Sequence, residues 1–311
     1  MTRIEAQQAI EYFLGAFRRD VNKYDRGRVF VIAGSRGMSG AAILSARAAM
    51  RSGAGLVYSV LPGGLLPGVE PALPEALKCP VDGPDKEYFA AEDAAKLKGL
   101  ALRADAVVLG PGLGRNENTL ALVRALAADP DFAPDARAII LDADGLYAFK
   151  GRAAELADVA AVRRGGQLVL TPHEGEMAGL LELTAAEVRV RRAECVTKLA
   201  GLLAGGAAVL KGRETLTAAG TAAGTEIYVN VTGGPGLATG GSGDVLAGLI
   251  AGLAASDRAR EGDCQPLINI VNYGVALHGL AGDILTARRG VRYLTAGDII
   301  EGLGEIRNYA G

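Results

Sequence analysis

The stretch NVTGGPGLATGGSGDVLAG, from Asn230 to Gly248, decides how the rest of the chain is interpreted. Its seven glycines indicate a backbone that bends tightly or approaches a ligand where no Cβ intervenes. Gly241–Gly243 then lead into an apolar helix predicted over Val245–Ala255. Unpaired N–H groups and the positive dipole end of a helix start bind anions. The segment therefore predicts a phosphate-binding loop with a functional Asp244, in preference to an Asp that only caps the helix.

Outward from this segment, short apolar runs alternate with helical patterns. Runs this apolar are typical of strands covered on both faces, and the alternation predicts a doubly wound α/β sheet. The predicted strands are Arg28–Ala33, Leu56–Leu61, Asp105–Leu109, Ala138–Leu141, Gln167–Leu170 and Ala207–Leu210. The predicted helices are Gly40–Arg51, Val245–Ala255 and Ile268–Arg288. A hairpin is predicted from Leu216–Ala219 and Glu226–Val229, joined by Gly220–Thr225.

Clusters of Gly, Pro, Asp and His follow most of these strands. They are AGSRGMSG (33–40), GPGLG (110–114), DADGL (142–146), TPHEGE (171–176) and KGRET (211–215). The carboxyl ends of the strands in an open parallel sheet form the ligand crevice. We therefore expect these five loops to meet at one edge of the sheet.

Several polar residues in these loops are open to two interpretations. Lys211 ends a strand beside a glycine, so it either reaches a phosphate as a point charge or is a solvated surface lysine. His173 is functional or structural with equal weight, whereas His278 within the long helix is expected to be a packing residue. Asp142 and Asp144 either orient a ligand or Mg²⁺, or Asp144 caps a short helix.

Composition excludes several function classes. The chain has 311 residues, with 33 basic and 35 acidic side chains and a net charge of −2, which argues against a nucleic-acid binder. Three scattered cysteines without CxxC spacing argue against disulfides or a zinc site. No signal peptide or membrane-spanning run is evident, and a cytoplasmic protein is expected. The proline-rich segment Pro62–Asp85 is interpreted as a surface excursion.

Seven motifs together resemble one enzyme family. In chain order they are IAGSRGMSGAA, RSGAGLV, GPGLG, LDADGL, LTPHEGE, LKG and TGGPGLATGGSGDVLAG. From about Gly27 to the C-terminal helices the chain resembles the ADP/ATP-dependent NAD(P)H-hydrate dehydratases of the ribokinase superfamily. The resemblance implies a ribokinase-like three-layer α/β/α fold with a mostly parallel central sheet. It also implies one domain over residues 27–311, preceded by a helical extension over residues 1–26.

The resemblance implies a nucleotide-dependent lyase that returns the S form of hydrated NADH or NADPH (NADHX, NADPHX) to the intact coenzyme. ADP is the expected co-substrate, with ATP as the other candidate, Mg²⁺ as the cofactor and AMP plus phosphate as products of ADP. Asp244 matches the catalytic aspartate, and no protein-held metal is implied. The implied substrate contacts are Ala41, Gly112, His173 and Asp244. The implied nucleotide contacts are Lys211, Gly212, Arg213, Glu214, Thr215, Gly241, Ser242 and Gly243.

Chemistry is consistent with these assignments. Hydroxide leaves poorly, so phosphorylation of the 6-hydroxyl, with Asp244 as general base, makes the elimination feasible. The resemblance further implies a homotetramer and a separate NAD(P)HX epimerase in the same pathway. Two alternatives stay open at this point. One is a vitamin-precursor kinase of the same superfamily, and the other is a nucleotide sensor with an inactive site.

Overall fold

The computed structural model describes residues 1–163, 166–221 and 224–309. A single mixed β-sheet lies at its centre. Its strands are β1 (Thr2–Arg3), β2 (Arg28–Ile32), β3 (Leu56–Pro62), β4 (Leu77–Val81), β5 (Ala106–Leu109), β6 (Ala138–Leu141), β7 (Leu168–Leu170), β8 (Ala207–Leu210), β9 (Leu216–Thr221) and β10 (Gly224–Val229). Within the described residues their order is β1-β10-β9-β8-β7-β6-β5-β2-β3-β4. Neighbours pair in parallel except at β8–β9 and β9–β10, which are antiparallel.

Helices cover both faces of this sheet. They are α1 (Ala6–Leu14), α2 (Ser39–Arg51), α3 (Leu66–Val69), α4 (Ala94–Ala101), α5 (Glu117–Ala128), α6 (Asp144–Tyr147), α7 (Glu155–Ala161), α8 (Glu174–Leu181), α9 (Ala185–Val190), α10 (Arg192–Gly201), α11 (Ser242–Ser256), α12 (Leu267–Arg289) and α13 (Ala296–Tyr309). One face packs against α1, α2 and α11–α13, and the other against α4, α5, α7 and α10. Of the helices in the described ranges, none combines the length and hydropathy needed to cross a bilayer.

Side chains in the central strands alternate between two apolar cores. In β2, Val29 and Val31 join the core that contains α11, whereas Phe30 and Ile32 join the core on the opposite face. Strands buried on both faces have apolar residues at nearly every position, which is why these runs lack polar alternation. The predicted three-layer α/β/α fold with a mostly parallel sheet is confirmed.

The predicted elements match closely, with one correction. The six predicted strands and three predicted helices are present, and β9 and β10 form the predicted hairpin. Residues 222 and 223 of its loop, like residues 310 and 311, lie outside the described residues. The interpretation of Pro62–Asp85 as a surface excursion alone was wrong, because Leu77–Val81 forms the edge strand β4. Proline is compatible with an edge strand, because the N–H that it lacks is not needed for a hydrogen bond to a second neighbouring strand.

The helix that leads out of the glycine segment lies unusually close to α2. A Cβ added at Gly248 would lie 2.1 Å from the carbonyl oxygen of Ser45, and one at Gly252 would lie 2.0 Å from Ser52 Oγ. Only glycine permits this approach of the two helices. The packing fixes α11 against the sheet and places its N-terminal end at the carboxyl edge of the strands.

Candidate active site

The predicted loops meet at the carboxyl edge of the sheet. The backbone N–H of Gly34 donates to the carbonyl of Pro111 at 2.9 Å, which joins the first two loops. The N–H of Lys211 donates to the carbonyl of Pro172 at 2.9 Å, which joins the last two. The DADGL loop lies between these pairs and bonds to both sides, as described below. The expected convergence is confirmed.

The start of α11 supplies backbone donors to this edge. Gly241 precedes the helix with φ 88°, a left-handed conformation that favours glycine, and it has no side-chain cap. The N–H of Ser242 donates to the carbonyl of Thr239 at 3.3 Å. The N–H groups of Gly243 and Asp244, by contrast, have no hydrogen-bond acceptor among the described residues. Free amides at a helix start form an anion site.

Asp244 lies within the first turn of α11, so it is not the N-cap. Burial raises the pKa of its carboxyl to about 7, with a further rise from the charge of Asp142. The ammonium of Lys211 opposes this rise, and the carboxylates of Asp144 and Glu176 add smaller increases to it. A carboxyl with this pKa exchanges protons near neutral pH, which suits a general base.

Two carboxylates of the site hold the ammonium of Lys211 in place. Its Nζ lies 2.7 Å from Asp142 Oδ1, which also accepts a hydrogen bond of 2.7 Å from Thr171 Oγ1. Glu176 Oε2 lies 3.7 Å from the same ammonium. Burial alone would lower the pKa of Lys211, but these carboxylates reverse that effect and raise it. Lys211 is therefore a charged lysine in the site, and the solvated-surface interpretation was wrong.

Gly243 lies beside this ion pair. A Cβ at Gly243 would lie 3.2 Å from Lys211 Nζ and 3.6 Å from Asp142 Oδ2. The missing side chain leaves the ammonium and the free amides of α11 on one small surface. This arrangement presents positive charge and hydrogen-bond donors to an anion.

Asp144 belongs to a different network from Asp142. Its Oδ2 accepts from the N–H of Gly114 at 2.9 Å and its Oδ1 from Arg115 Nε at 2.8 Å. Ala143 between the two carboxylates has φ 51°, a strained conformation for a residue other than glycine. This sharp turn sends Asp142 toward Lys211 and Asp144 toward the GPGLG loop. Asp144 makes no side-chain cap to α6, so the capping interpretation was wrong.

His173 has a defined structural role. Its Nδ1 accepts from the N–H groups of Gly175 and Glu176, at 3.0 and 3.2 Å, while Glu176 Oε2 accepts from the N–H of His173 at 2.8 Å. This reciprocal pair is a capping box at the start of α8. The imidazole is nevertheless 59% exposed, and its Nε2 lies 3.5 Å from Glu176 Oε1.

A cavity of about 470 Å³ connects His173 with the KGRET loop. Lys211, Gly212 and Arg213 line one side of the cavity, and Arg189 lies on another. The two motifs that were assigned to different ligands therefore share one depression. Its wall carries more cationic than acidic side chains, as a site for phosphates requires.

Arg192 of α10 holds the KGRET loop in place. Its guanidinium donates to the carbonyls of Leu210 and Glu214, at 3.2 and 3.4 Å, and to Glu174 Oε1 at 2.8 Å. A Cβ at Gly212, where φ is 140°, would lie 2.9 Å from Arg192 Nη1. No sequence signal marked Arg192, because it lies in a helix remote from every motif.

Ala41 and Gly112 meet on the opposite side of the site. A Cβ at Gly112, where φ is 62°, would lie 3.0 Å from Ala41 Cβ and 2.9 Å from the carbonyl oxygen of Met38. The loop after β5 thus lies directly against the start of α2. Among the implied substrate residues, the structure places these two together.

Two residues of α12 that the sequence did not single out as functional hold the glycine segment. Asp283 Oδ2 accepts from the N–H of Gly233 at 2.7 Å. His278 Nε2 lies 3.0 Å from the carbonyl oxygen of Ser242 and 3.2 Å from its Oγ. His278 is buried, as expected of a packing residue, but the atoms it contacts belong to the N-terminal end of α11. The sequence alone does not indicate this contact, because the contact depends on how α12 packs.

Comparison with known proteins gives a consistent result. A model of the NAD(P)H-hydrate dehydratase family matches residues 29–304. A bifunctional NAD(P)H-hydrate repair enzyme of Moorella thermoacetica is 37% identical over 277 residues, which cover 88% of this chain and 48% of that enzyme. An ADP-dependent (S)-NAD(P)H-hydrate dehydratase of Neisseria meningitidis is 36% identical over 294 residues, covering 93% of this chain and 88% of that protein.

Solved structures include a similar molecule with a nucleotide. The ADP/ATP-dependent NAD(P)H-hydrate dehydratase from Bacillus subtilis, co-crystallised with ATP and Mg²⁺, is 26% identical with a TM-score of 0.76. The match covers 100% of this chain and 99% of that one. The chain spans about half the length of the bifunctional relatives it matches and most of the Neisseria meningitidis protein.

Proposed function

The chain belongs to the NAD(P)H-hydrate dehydratase family, and from this premise we propose that it dehydrates S-NADHX and S-NADPHX at the expense of ADP. The observation that carries the proposal is the position of Asp244. A half-buried carboxyl with a pKa of about 7 lies on the same helix turn as two free amides, and the residue before it, Gly243, lies beside the ammonium of Lys211. That combination of a base with anion-stabilising donors suits phosphoryl transfer to a hydroxyl group.

In the first half of the reaction, Asp244 removes the proton of the 6-hydroxyl. The hydroxyl oxygen then forms a bond to the terminal phosphorus of ADP, and the bond between that phosphorus and AMP breaks. The N–H groups of Gly243 and Asp244 stabilise negative charge on the transferring phosphoryl oxygens. Lys211 adds a positive charge that Asp142 keeps in position.

In the second half, the bond between C6 and its oxygen breaks and phosphate leaves with the electron pair. Loss of a proton from C5 then restores the C5=C6 double bond of the dihydronicotinamide. The net change is removal of one water from the hydrate and hydrolysis of ADP to AMP and phosphate. Phosphate is a much better leaving group than hydroxide, so the first half makes the second feasible.

Binding roles are assigned by position in the site. We propose that Ala41, Gly112 and the exposed imidazole of His173 contact the hydrate, together with Asp244. The KGRET loop and the start of α11 hold the nucleotide, supported by the cationic side chains of Lys211 and Arg213. The two ligands then meet in the cavity that these residues share with His173. The proposed nucleotide residues are Lys211, Gly212, Arg213, Glu214, Thr215, Gly241, Ser242 and Gly243.

Mg²⁺ is proposed as an ion that the nucleotide carries. The oxygens of Asp144 are engaged by Gly114 and Arg115, and Asp142 is engaged by Lys211 and Thr171. No three His, Cys, Asp or Glu side chains within the described ranges are arranged to hold a metal ion. Mg²⁺ commonly binds through substrate phosphates and retains waters. No residue and no reaction step is therefore assigned to it.

The products distinguish this function from that of a kinase. With S-NADHX and ADP, we expect NADH, AMP and free phosphate in equal amounts, measured by absorbance at 340 nm and by chromatography. Parallel reactions with ATP, and with S-NADPHX, establish the preferred nucleotide and coenzyme. Phosphorylation of an alcohol such as hydroxymethylpyrimidine, without NADH from the hydrate, would contradict the proposal and leave the fold assignment intact.

Further properties are proposed from the family resemblance alone. They are a single domain over residues 27–311 with residues 1–26 as an extension, a homotetramer, a cytoplasmic location and cooperation with an NAD(P)HX epimerase. Light scattering coupled to size-exclusion chromatography tests the tetramer, and addition of the epimerase to a mixture of R and S hydrates tests the pathway. Complete conversion only with the epimerase present is the expected result.

A further inference from the structure

The hydroxyl of Ser242 is buried, and its one hydrogen-bond partner among the described residues is the imidazole of His278. Ser242 is the first residue of α11 and is 8% exposed. The neighbour of its Oγ is His278 Nε2, at 3.2 Å. Which of these two atoms donates decides what the hydroxyl is free to do.

The backbone settles the direction of this hydrogen bond. His278 Nε2 also lies 3.0 Å from the carbonyl oxygen of Ser242, which can only accept. Nε2 therefore carries the imidazole proton and donates toward both oxygens of Ser242. Burial lowers the pKa of His278 to about 4, with a smaller effect from Lys211, so the ring is neutral at neutral pH. A protonated Nε2 cannot accept, and the proton of the Ser242 hydroxyl must point elsewhere.

We propose that Ser242 donates its hydroxyl proton to the terminal phosphoryl group of the nucleotide, and that His278 is the residue that fixes it as a donor. The free N–H groups of Gly243 and Asp244 lie on the same helix turn and supply the other donors. His278 acts through Ser242 and touches no ligand, so it is a positioning residue. The inference rests on the proposed function only for the identity of the phosphate donor.

The experiment compares ADP with AMP, because the two differ only in the phosphoryl group that Ser242 is proposed to contact. Calorimetry in the presence of Mg²⁺ measures both affinities for the wild type, Ser242→Ala, His278→Leu and His278→Gln. Gln places a side-chain N–H near the position of Nε2, whereas Leu fills the space without a donor. Ser256→Ala is the matched control, because that buried serine bonds within α11 at its far end.

Ser242→Ala and His278→Leu should each lower the ratio of ADP to AMP affinity by about tenfold, as expected for one hydrogen bond to a charged group. His278→Gln and Ser256→Ala should leave the ratio within about twofold of wild type, since each keeps the Ser242 donor. AMP affinity and thermal unfolding should change little in Ser242→Ala. The rate of NADH formation should fall in parallel with the affinity ratio.

A double variant tests whether His278 acts through Ser242. The combination Ser242→Ala with His278→Leu should lose no more than the larger single effect, because both changes remove the same donor. Additive losses, or an unchanged ratio in Ser242→Ala, would overturn the proposal. Should His278→Leu fail to fold, equal losses in His278→Gln and Ser242→Ala would also overturn it. If the wild-type protein binds ADP more tightly than AMP but forms no NADH, the proposed dehydratase activity is refuted. The inference about Ser242 is then still decided by the affinity ratios of the variants.

Discussion

Replacing Asp142 by Asn should shift the acidic limb of the pH profile of kcat/KM, the range in which activity rises with pH, to lower pH. The limb reports ionisation of Asp244, whose pKa is about 7 because of burial and, next, the charge of Asp142. Removing that charge relieves a repulsion. It also leaves the ammonium of Lys211, now 2.7 Å from a carboxylate, without its partner and therefore more attractive to ionised Asp244. Both effects favour the ionised form.

The magnitude follows from the pKa. A carboxyl with a pKa of about 7 is roughly one tenth ionised at pH 6, and lowering its pKa by on the order of one pH unit makes it half ionised. The rate at pH 6, expressed relative to the plateau at high pH, should therefore rise about fivefold in Asp142→Asn. Absolute rates will fall in this variant because Lys211 loses the carboxylate that holds it. The pH midpoint of the limb, however, does not depend on the maximal rate.

The assay is kcat/KM for S-NADHX at saturating ADP between pH 5 and pH 9. Asp144→Asn is the matched control, because Asp144 raises the pKa of Asp244 less than Asp142 does. Its limb should move in the same direction by a smaller amount. A limb that stays in place in Asp142→Asn, or moves to higher pH, would show that Asp244 is not the titrating base or that Asp142 does not act on it.

Substitutions at three further residues test the site. Asp244→Asn should lower turnover by on the order of 10²–10⁴-fold. The folded-state pKa of Asp244 is raised, so the contribution of this residue to wild-type stability falls as the pH rises from about 4 through about 7. Asp244→Asn should therefore unfold at a higher temperature than wild type at pH 8 but not at pH 4. Lys211→Ala should weaken ADP binding in calorimetry and move the acidic limb to higher pH, opposite to Asp142→Asn. His173→Ala should raise KM for the hydrate, leave ADP affinity unchanged and cost about 1 kcal/mol of stability through the lost cap. His173→Asn keeps a cap, so a raised KM in both His173 variants indicates a substrate contact, and a raised KM in Ala alone indicates only the cap.

Much of the fold was predictable because burial on both faces produces a simple sequence pattern. Strands such as Ala138–Leu141 are apolar at every position and end at a Gly, Asp or Pro cluster, so their bounds were evident. The edge strand Leu77–Val81 was missed for the opposite reason. It is partly exposed and contains Pro80, and only its pairing with β3 makes it a strand.

The site was predictable as a set of loops but not as a network. Asp244 and Lys211 were marked by their neighbours in sequence, and the structure brings them to one place. The opposite orientations of Asp142 and Asp144 depend on the strained backbone at Ala143, which no propensity for alanine would suggest. Arg192 and His278 act from helices whose sequences resemble ordinary packing surfaces, so only tertiary structure assigns them.

The position of Asp244 depends on α11 as a whole more than on the glycine loop that precedes it. Interior glycines weaken a helix by roughly 0.5–1 kcal/mol each, yet Gly248 and Gly252 are required where α11 touches α2. At its far end, Asp257 accepts hydrogen bonds from Tyr12 and from the N–H of Gln265, at 2.8 and 3.0 Å. At its near end, contacts from α12 hold the loop. A helix fixed along its length and at both ends keeps its first-turn amides and carboxylate aligned with the sheet edge, which the glycine loop alone could not do.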